Sequence, residues 1–330
     1  MSVDIFAEIK DSPHARRLKF EVWLGNAFYG NGAILKKYAK LPWWVPLKFH
    51  TQHGVKFFSL AEEGDIKKQL SFYLPKDNNT PFLIFNKREA EFLRARLGNR
   101  TNIQVIGAPI IYLDPYIEGT KKSLPDLEKK GTIAFPSKGT HYSNVVTDYT
   151  EYADMLDALP EKFKPIKVCM YYLDRERGKD KPFLEKGFEV VDNGKLLSQN
   201  FLQKFYYNTL SAEYSTSNDL LSSPVFYSIY SGLKFFEYGP NVKYEQLIND
   251  KHSFYAKERE MSQKISLYHF PIEEVEDYQK MKRIADLELG LDYKLSPAQL
   301  RKFILRQLNL SFLSKHIRKN IRTLYHGMVS

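Results

Sequence analysis

Residues 131–143, GTIAFPSKGTHYS, carry the pattern that decides the fold. Thr132-Ile133-Ala134-Phe135 reads as a short buried strand. Pro136-Ser137-Lys138-Gly139-Thr140-His141 then crowds breakers, hydroxyls, a cation and an imidazole into one loop. Behind it, Tyr149, Tyr152, Ala153, Leu156 and Leu159 form an apolar, helix-like run. A strand that passes through a polar, glycine-containing loop into a helix is how α/β proteins present backbone N–H groups to a phosphate. We read Pro136 to His141 as one half of a nucleotide-sugar site. The plainer alternative is an ordinary strand-to-helix turn with a solvated Lys and His.

The alternation continues on both sides. Downstream come strand Ile166–Tyr172, a charged loop Asp174–Lys181, strand Phe188–Val191 and a helix over Phe201–Leu210. Upstream, Phe20–Leu24 reads as a strand. The small-residue loop Gly25–Gly32 follows, and then a short helix over Ala33–Tyr38. Those glycines allow close backbone approach to a ligand, but their spacing is not the dinucleotide fingerprint. Pro81–Phe85 is a buried strand. Asn86 follows as a helix cap, with Glu89 placed to close a capping box. Ala90, Leu93 and Leu97 make an apolar face and Gly98 a stop, before the next strand, Ile103–Pro109, ends in Gly107-Ala108-Pro109. The expected architecture is α/β: an N-terminal domain over 1–115, a polar linker at 116–130 and a second domain over 131–255. The two domains, each Rossmann-like, would face a cleft, with a helical, basic segment at 256–330.

Composition bounds the partners. At 330 residues, two domains are the natural division, and 43% hydrophobic with 27% charged residues is an ordinary globular balance. Aromatics at 15% suit clefts that stack on planar groups. A formal charge of +10 and a pI of about 9.2 fit a partner that carries phosphates: a nucleotide, a nucleic acid or an anionic membrane. Cys169, the single cysteine, lies in an apolar run, which reads as a buried hydrophobe in a cytosolic protein. Met1–Lys19 is charged throughout and no long apolar run follows, so neither signal peptide nor membrane span is expected. No zinc-finger spacing, RNP-like motif or internal repeat stands in the chain, so nucleic acid is not the expected partner.

Further candidates sit at loops. His53, in Gln52-His53-Gly54 past a probable strand end, is placed for a functional imidazole, because Gly54 leaves the ring accessible; a turn-satisfying histidine is the alternative. Ser217, Asn218, Ser222 and Ser223 precede the apolar run Val225–Tyr230. They read either as helix caps or as a phosphate cradle at a helix N-terminus. Ser296-Pro297-Ala298-Gln299 opens a helix with cap, proline and capping box. The cations between Arg301 and Arg322 line a face without Asp or Glu, opposite Leu300, Ile304 and Leu308. That helix can lie on an anionic bilayer, or pack back on the body and show its charges to solvent. No Asp-X-Asp triplet stands in a loop to hold a metal, so the expected chemistry is metal-independent.

Together, Phe135-Pro136-Ser137 through His141, Asp174 after a strand, Ser217-Asn218 and Ser222-Ser223 resemble bacterial GT-B glycosyltransferases of capsule and lipopolysaccharide assembly. Gln52-His53-Gly54 and Ile106-Gly107-Ala108-Pro109 fit the same picture. The closest likeness is to transferases that use CMP-activated sugars such as sialic acid or related nonulosonates, and it spans residues 20–240 in short motifs. In those relatives a His-Pro element binds the nucleotide phosphate and paired serines hold it from the second domain. This chain departs, since Pro136 precedes Ser137 and Lys138, with His141 following later. The resemblance implies a nucleotide-sugar donor as substrate, no separate cofactor and a glycan or lipid-linked acceptor. His53 is the candidate base, and Asn26, Gly54, Gly107 and Asp174 are further cleft candidates. The expected location is the cytoplasm, with peripheral contact to the inner membrane through Arg301–Arg322. The His-Gly element also resembles that of wall-teichoic-acid CDP-glycerol phosphotransferases, which keeps phosphotransfer as an alternative. A non-catalytic nucleic-acid- or membrane-binding protein is a further one.

Overall fold

The computed structural model describes residues 24–60, 79–97, 102–124, 127–139, 143–219, 222–246, 268–309 and 312. Strands β1 (His50–Thr51), β2 (Phe82–Ile84) and β3 (Ile103–Val105) form a parallel sheet in that order. A second parallel sheet contains β4 (Thr132–Phe135), β6 (Ile166–Cys169), β7 (Glu189–Val191), β8 (Tyr214–Ser217) and β9 (Lys234–Glu237), ordered β7-β6-β4-β8-β9. Apart from both sheets, β5 (Ser143–Val146) pairs antiparallel with β10 (Lys243–Gln246). The expected α/β class with parallel sheets is therefore present.

The order of the second sheet places the site. The chain enters at β4, moves outward through β6 and β7, then returns to the other side of β4 with β8 and β9. The order reverses between β4 and β8, and the crevice beyond the carboxyl ends of such a strand pair is where open α/β sheets bind ligands. All four residues of β4 are buried, as an apolar run covered on both faces should be.

Helices cover the sheets: α1 (Asn31–Tyr38), α2 (Lys87–Leu97), α3 (Asp114–Ser123), α4 (Tyr149–Asp157), α5 (Tyr172–Glu176), α6 (Lys181–Glu185), α7 (Phe201–Thr209), α8 (Ser223–Tyr230), α9 (Tyr278–Leu289) and α10 (Pro297–Arg306). One apolar core runs from Leu83 and Phe85 of the first sheet to Phe205, Phe226 and Phe235 around the second. Another fills the opposite face of the large sheet, where Tyr152 and Leu156 of α4 meet Phe163 and Phe236. Phe58, Phe82, Ile84 and Leu93 close the outer face of the small sheet.

Several expectations are corrected. The stretch 116–130 is not a polar linker over its length, because α3 takes Asp114–Ser123. Pro115 opens that helix, Asp114 lies in its first turn and Lys121 and Lys122 in its last, an arrangement that suits the helix dipole. Ser217, read as a helix cap or part of a phosphate cradle, instead closes the buried strand β8 (Tyr214–Ser217). The two serine hydroxyls of that strand find partners inside the protein: Ser215 Oγ pairs with Ser228 Oγ at 2.8 Å and Ser217 Oγ donates to the Phe135 carbonyl at 2.8 Å. The charged run Asp174–Lys181 is not a free loop either, since α5 ends in it and α6 begins at Lys181. Asn86 caps α2 by accepting from Glu89 N–H at 3.0 Å. The Glu89 carboxylate leaves the box and accepts from Ser59 N–H and Oγ at 2.8 and 2.6 Å. The expected strand at Phe20–Leu24 and the stop at Gly98 fall outside the described residues, save Leu24, which opens a helical turn.

Where it is described, the segment 256–330 is helical, as expected, and packs on the body. α9 packs along α8, and Met281 and Leu289 enter the main core. Its last turn reaches the first sheet: Arg88 pairs bidentately with Glu288 at 2.8 and 2.9 Å, and Ala108 N–H donates to the Leu289 carbonyl at 2.8 Å. α10 has the expected capping box at Ser296 and Gln299. Its apolar residues Leu300 and Ile304 are fully buried against the body, and Phe303 meets Phe49 with ring centroids 5.9 Å apart. The apolar face assigned to a bilayer is thus already covered over 297–306, and of the run Arg301–Arg322 the part beyond residue 309, apart from 312, lies outside the described residues.

Candidate functional site

A cleft enclosing about 550 Å³, part of it open to solvent, lies at the carboxyl edge of the large sheet. Its floor comes from Phe135 and Pro136 after β4, Cys169 and Met170 after β6, and Asn193 and Gly194 after β7. Phe201 and Phe205 of α7 and Tyr227 of α8 form one side, and Tyr171 and Tyr172 another. Tyr29, from the segment before α1, closes the cleft on the side of the first sheet.

Tyr29 is held in an unusual backbone conformation, with φ 57, and Gly30 follows at φ 72. A non-glycine residue in the left-handed region costs free energy that surrounding contacts must offset. Here Tyr29 N–H donates to the Leu196 carbonyl at 2.6 Å, and its ring lies 4.8 Å from that of Phe201. A side chain at Gly30 would collide with the Gln199 carbonyl oxygen at 2.3 Å, so glycine is required where this segment meets the loop before α7.

Lys138 stands between the two walls. Its Nζ donates to the Tyr29 hydroxyl at 3.1 Å and lies 5.3 and 5.5 Å from the ring centroids of Tyr29 and Tyr171. Ammonium groups over aromatic faces are held by the ring quadrupole. The loop that carries Lys138 is braced from below. Ser137 N–H and Oγ both reach Asn218 Oδ1, at 2.9 and 3.0 Å, and Gly139 N–H donates to buried Asp174 at 3.1 Å. Asp174 also pairs with Lys179 at 2.9 Å.

His53 packs against Phe28 and Tyr29 with ring centroids 4.9 and 6.1 Å apart and the planes tilted by 43° and 44°. The residue is half-buried, and its ring Nδ1 is buried. Burial, with Lys56 and Lys138 adding to it, holds its pKa well below the ordinary histidine value. The imidazole is therefore neutral at pH 7, as a proton acceptor must be. Gly54 next to it permits a close approach between the halves: Val55 N–H donates to Ser223 Oγ at 3.0 Å, at the first turn of α8.

The sequence candidates thus separate. Pro136, Lys138 and Ser223 line the cleft, with His53 and Gly54 beside it. Ser137, Gly139, Asn218 and Asp174 build the loop from within. Ser217 is buried in β8, and Ser222 turns its hydroxyl to the Asp219 carbonyl at 2.8 Å instead of capping α8. Asn26 binds the Phe49 carbonyl and Thr51 Oγ1, which fixes the strand before His53. Gly107 packs against the Gly290 turn that ends α9, away from the cleft lining. Thr140 and His141 lie outside the described residues.

Sequence reasoning does not single out Tyr29, Tyr171, Tyr172 or Asn193. The signal that could have found them is the Phe28-Tyr29-Gly30 step inside a glycine-rich loop and the Tyr pair at the end of an expected strand. Cys169 lines the cleft, but burial, with Asp192 nearby, pushes its thiol up to about 12, which makes it a poor nucleophile. An aromatic-walled cleft whose lining includes both the Lys138 ammonium and Ser223 of the first turn of α8 can hold a planar group and an anion at once. Among the described residues no helix is long and apolar enough to cross a membrane. No protein-family model matches the chain, and no curated protein matches it either.

Proposed function

We propose that the chain transfers a sugar from a nucleotide-activated donor to a glycan or lipid-linked acceptor, with GT-B-like use of the cleft at the carboxyl edge of its large sheet. The observation that carries this reading is the position of Lys138. It sits at the carboxyl end of β4, beside the β4–β8 reversal, between Tyr29 and Tyr171 and in the same cleft as Ser223 of α8. In this reading the base stacks among the aromatic rings, and Lys138 with the first turn of α8 takes the phosphate. Charge developing on the leaving phosphate is stabilised by the Lys138 ammonium and the Ser223 hydroxyl. Neutral His53 is the candidate base that accepts the acceptor hydroxyl's proton.

The CMP-linked donor implied by the sequence resemblance is the first to test. Thermal unfolding is followed with CMP, CDP, UDP, GDP and ADP. A ligand at about 100 times its dissociation constant adds roughly 2.7 kcal/mol to native stability. The expected result is a CMP shift that Lys138→Ala abolishes. A preference for CDP would favour glycerol-phosphate transfer, and no shift with any nucleotide would refute the reading.

A further inference from the structure

Trp43 and Trp44 are 48% and 54% exposed, side by side in the loop after α1. Tryptophan is on average a highly buried residue, so an adjacent exposed pair is an informative departure. The loop is stiff. Lys36, itself buried, donates from Nζ to the Trp43 carbonyl at 3.0 Å, and Val45 N–H closes a turn on the Pro42 carbonyl at 3.1 Å. Leu41, Val45 and Leu47 on either side are buried and anchor it. The tip therefore presents its two indoles from a fixed base.

The segment that carries it bears charge of one sign, and Asp114, the carboxylate near Tyr38 of α1, is paired with Lys294. Between Val22 and Ala61 the chain has no Asp or Glu, while Lys37 and Lys40 are exposed beside the tip. α10 packs against α1 and turns exposed Arg301, Lys302 and Arg306 outward. Protein–protein interfaces are depleted in Lys. Indole rings with a cationic surround are instead suited to the headgroup level of an anionic bilayer.

We infer that the Trp43–Trp44 loop docks this protein on an anionic phospholipid bilayer, with Lys37, Lys40 and the exposed cations of α10 as the electrostatic surround. This differs from a bilayer-lying α10, whose apolar face is already buried, and it does not rest on the transfer reading. The two sites are joined by α1, which runs from the Tyr29 side of the cleft to the tryptophan loop over about 12 Å.

The test is flotation of the full chain with vesicles of phosphatidylcholine alone or mixed with phosphatidylglycerol, and quenching of tryptophan emission by lipids brominated on their acyl chains. Binding is expected with the anionic vesicles, falling as salt rises. Trp43→Ser/Trp44→Ser should lower vesicle affinity on the order of tenfold or more and remove most quenching, with an unchanged melting temperature. Lys37→Glu/Lys40→Glu should weaken binding while leaving both indoles in place. Absence of binding by the full chain, or equal binding by the tryptophan variant, would overturn the inference. So would a tryptophan variant that changes the oligomeric state of a chain that does not bind vesicles, since the loop would then meet a second copy.

Discussion

Gly54→Ala is a direct probe of how closely the two halves of the cleft approach. A Cβ at Gly54 would stand 2.7 Å from Ser223 Oγ and 3.5 Å from Tyr29 Cε2. The first is a collision and the second an ordinary contact. The serine hydroxyl can rotate away, but it then abandons Val55 N–H, whose hydrogen bond is 3.0 Å long. Leaving a buried donor unsatisfied costs about 1–3 kcal/mol. Against this, alanine restricts the unfolded chain and contributes about 0.4–1 kcal/mol where the backbone accepts it. We expect Gly54→Ala to lower stability by about 1 kcal/mol in the otherwise unchanged protein. With Ser223→Ala already present the obstacle is gone, because the Ser223 Cβ lies 4.0 Å away. The same substitution should then stabilise by about 0.4–1 kcal/mol. Urea unfolding of the four proteins, at constant m-value, measures the change of sign. An equal effect of Gly54→Ala in both backgrounds would refute the close approach.

Three other outcomes follow from the same geometry. The His53 pKa is lowered in the folded protein, so the unfolded chain takes up the proton first as pH falls below the ordinary value of 6.5. The native state loses stability in that window and not above it, by up to about 1.4 kcal/mol one pH unit below. His53→Gln should flatten that part of the stability profile, and superimposable profiles would contradict it. Asp174→Asn breaks the buried pair with Lys179 and weakens the hold on Gly139; urea unfolding should register a loss of about 3 kcal/mol, together with a smaller nucleotide shift. Ile304→Ala should cost about 2–4 kcal/mol by thermal or urea unfolding; a cost near zero would mean that α10 is not docked.

The parallel-sheet plan was legible because β2, β4 and β6 are apolar runs followed by helical spacing. β8 was not, since Tyr-Ser-Thr-Ser has loop composition, and its burial depends on partners such as Ser228 and the Phe135 carbonyl that only the tertiary fold supplies. Glu89 likewise matched a local capping pattern, but Ser59, distant in sequence, takes its carboxylate. In the site, Lys138 and His53 could be read from loop chemistry. Tyr29 could not be, because its place depends on contacts with Leu196 and Phe201 from the other half of the chain. The serines showed the same limit: spacing offered three candidates beside Asn218, and long-range packing left only Ser223 in the cleft.

The return of α9 and α10 to the first sheet has a consequence for how the protein is made. Residues 278–306 leave the ribosome only after the entire second sheet. Until then Phe49 lacks Phe303, Asn86 and Arg88 lack Glu288, and Ala108 N–H lacks its acceptor. The half synthesised first is thus completed last, by contacts of very large sequence separation. Such contacts slow folding and lengthen the time that apolar surface stays open to aggregation or chaperones. Nascent chains stalled before residue 278 should therefore hold every strand of both parallel sheets while still lacking the α9 and α10 contacts that complete them.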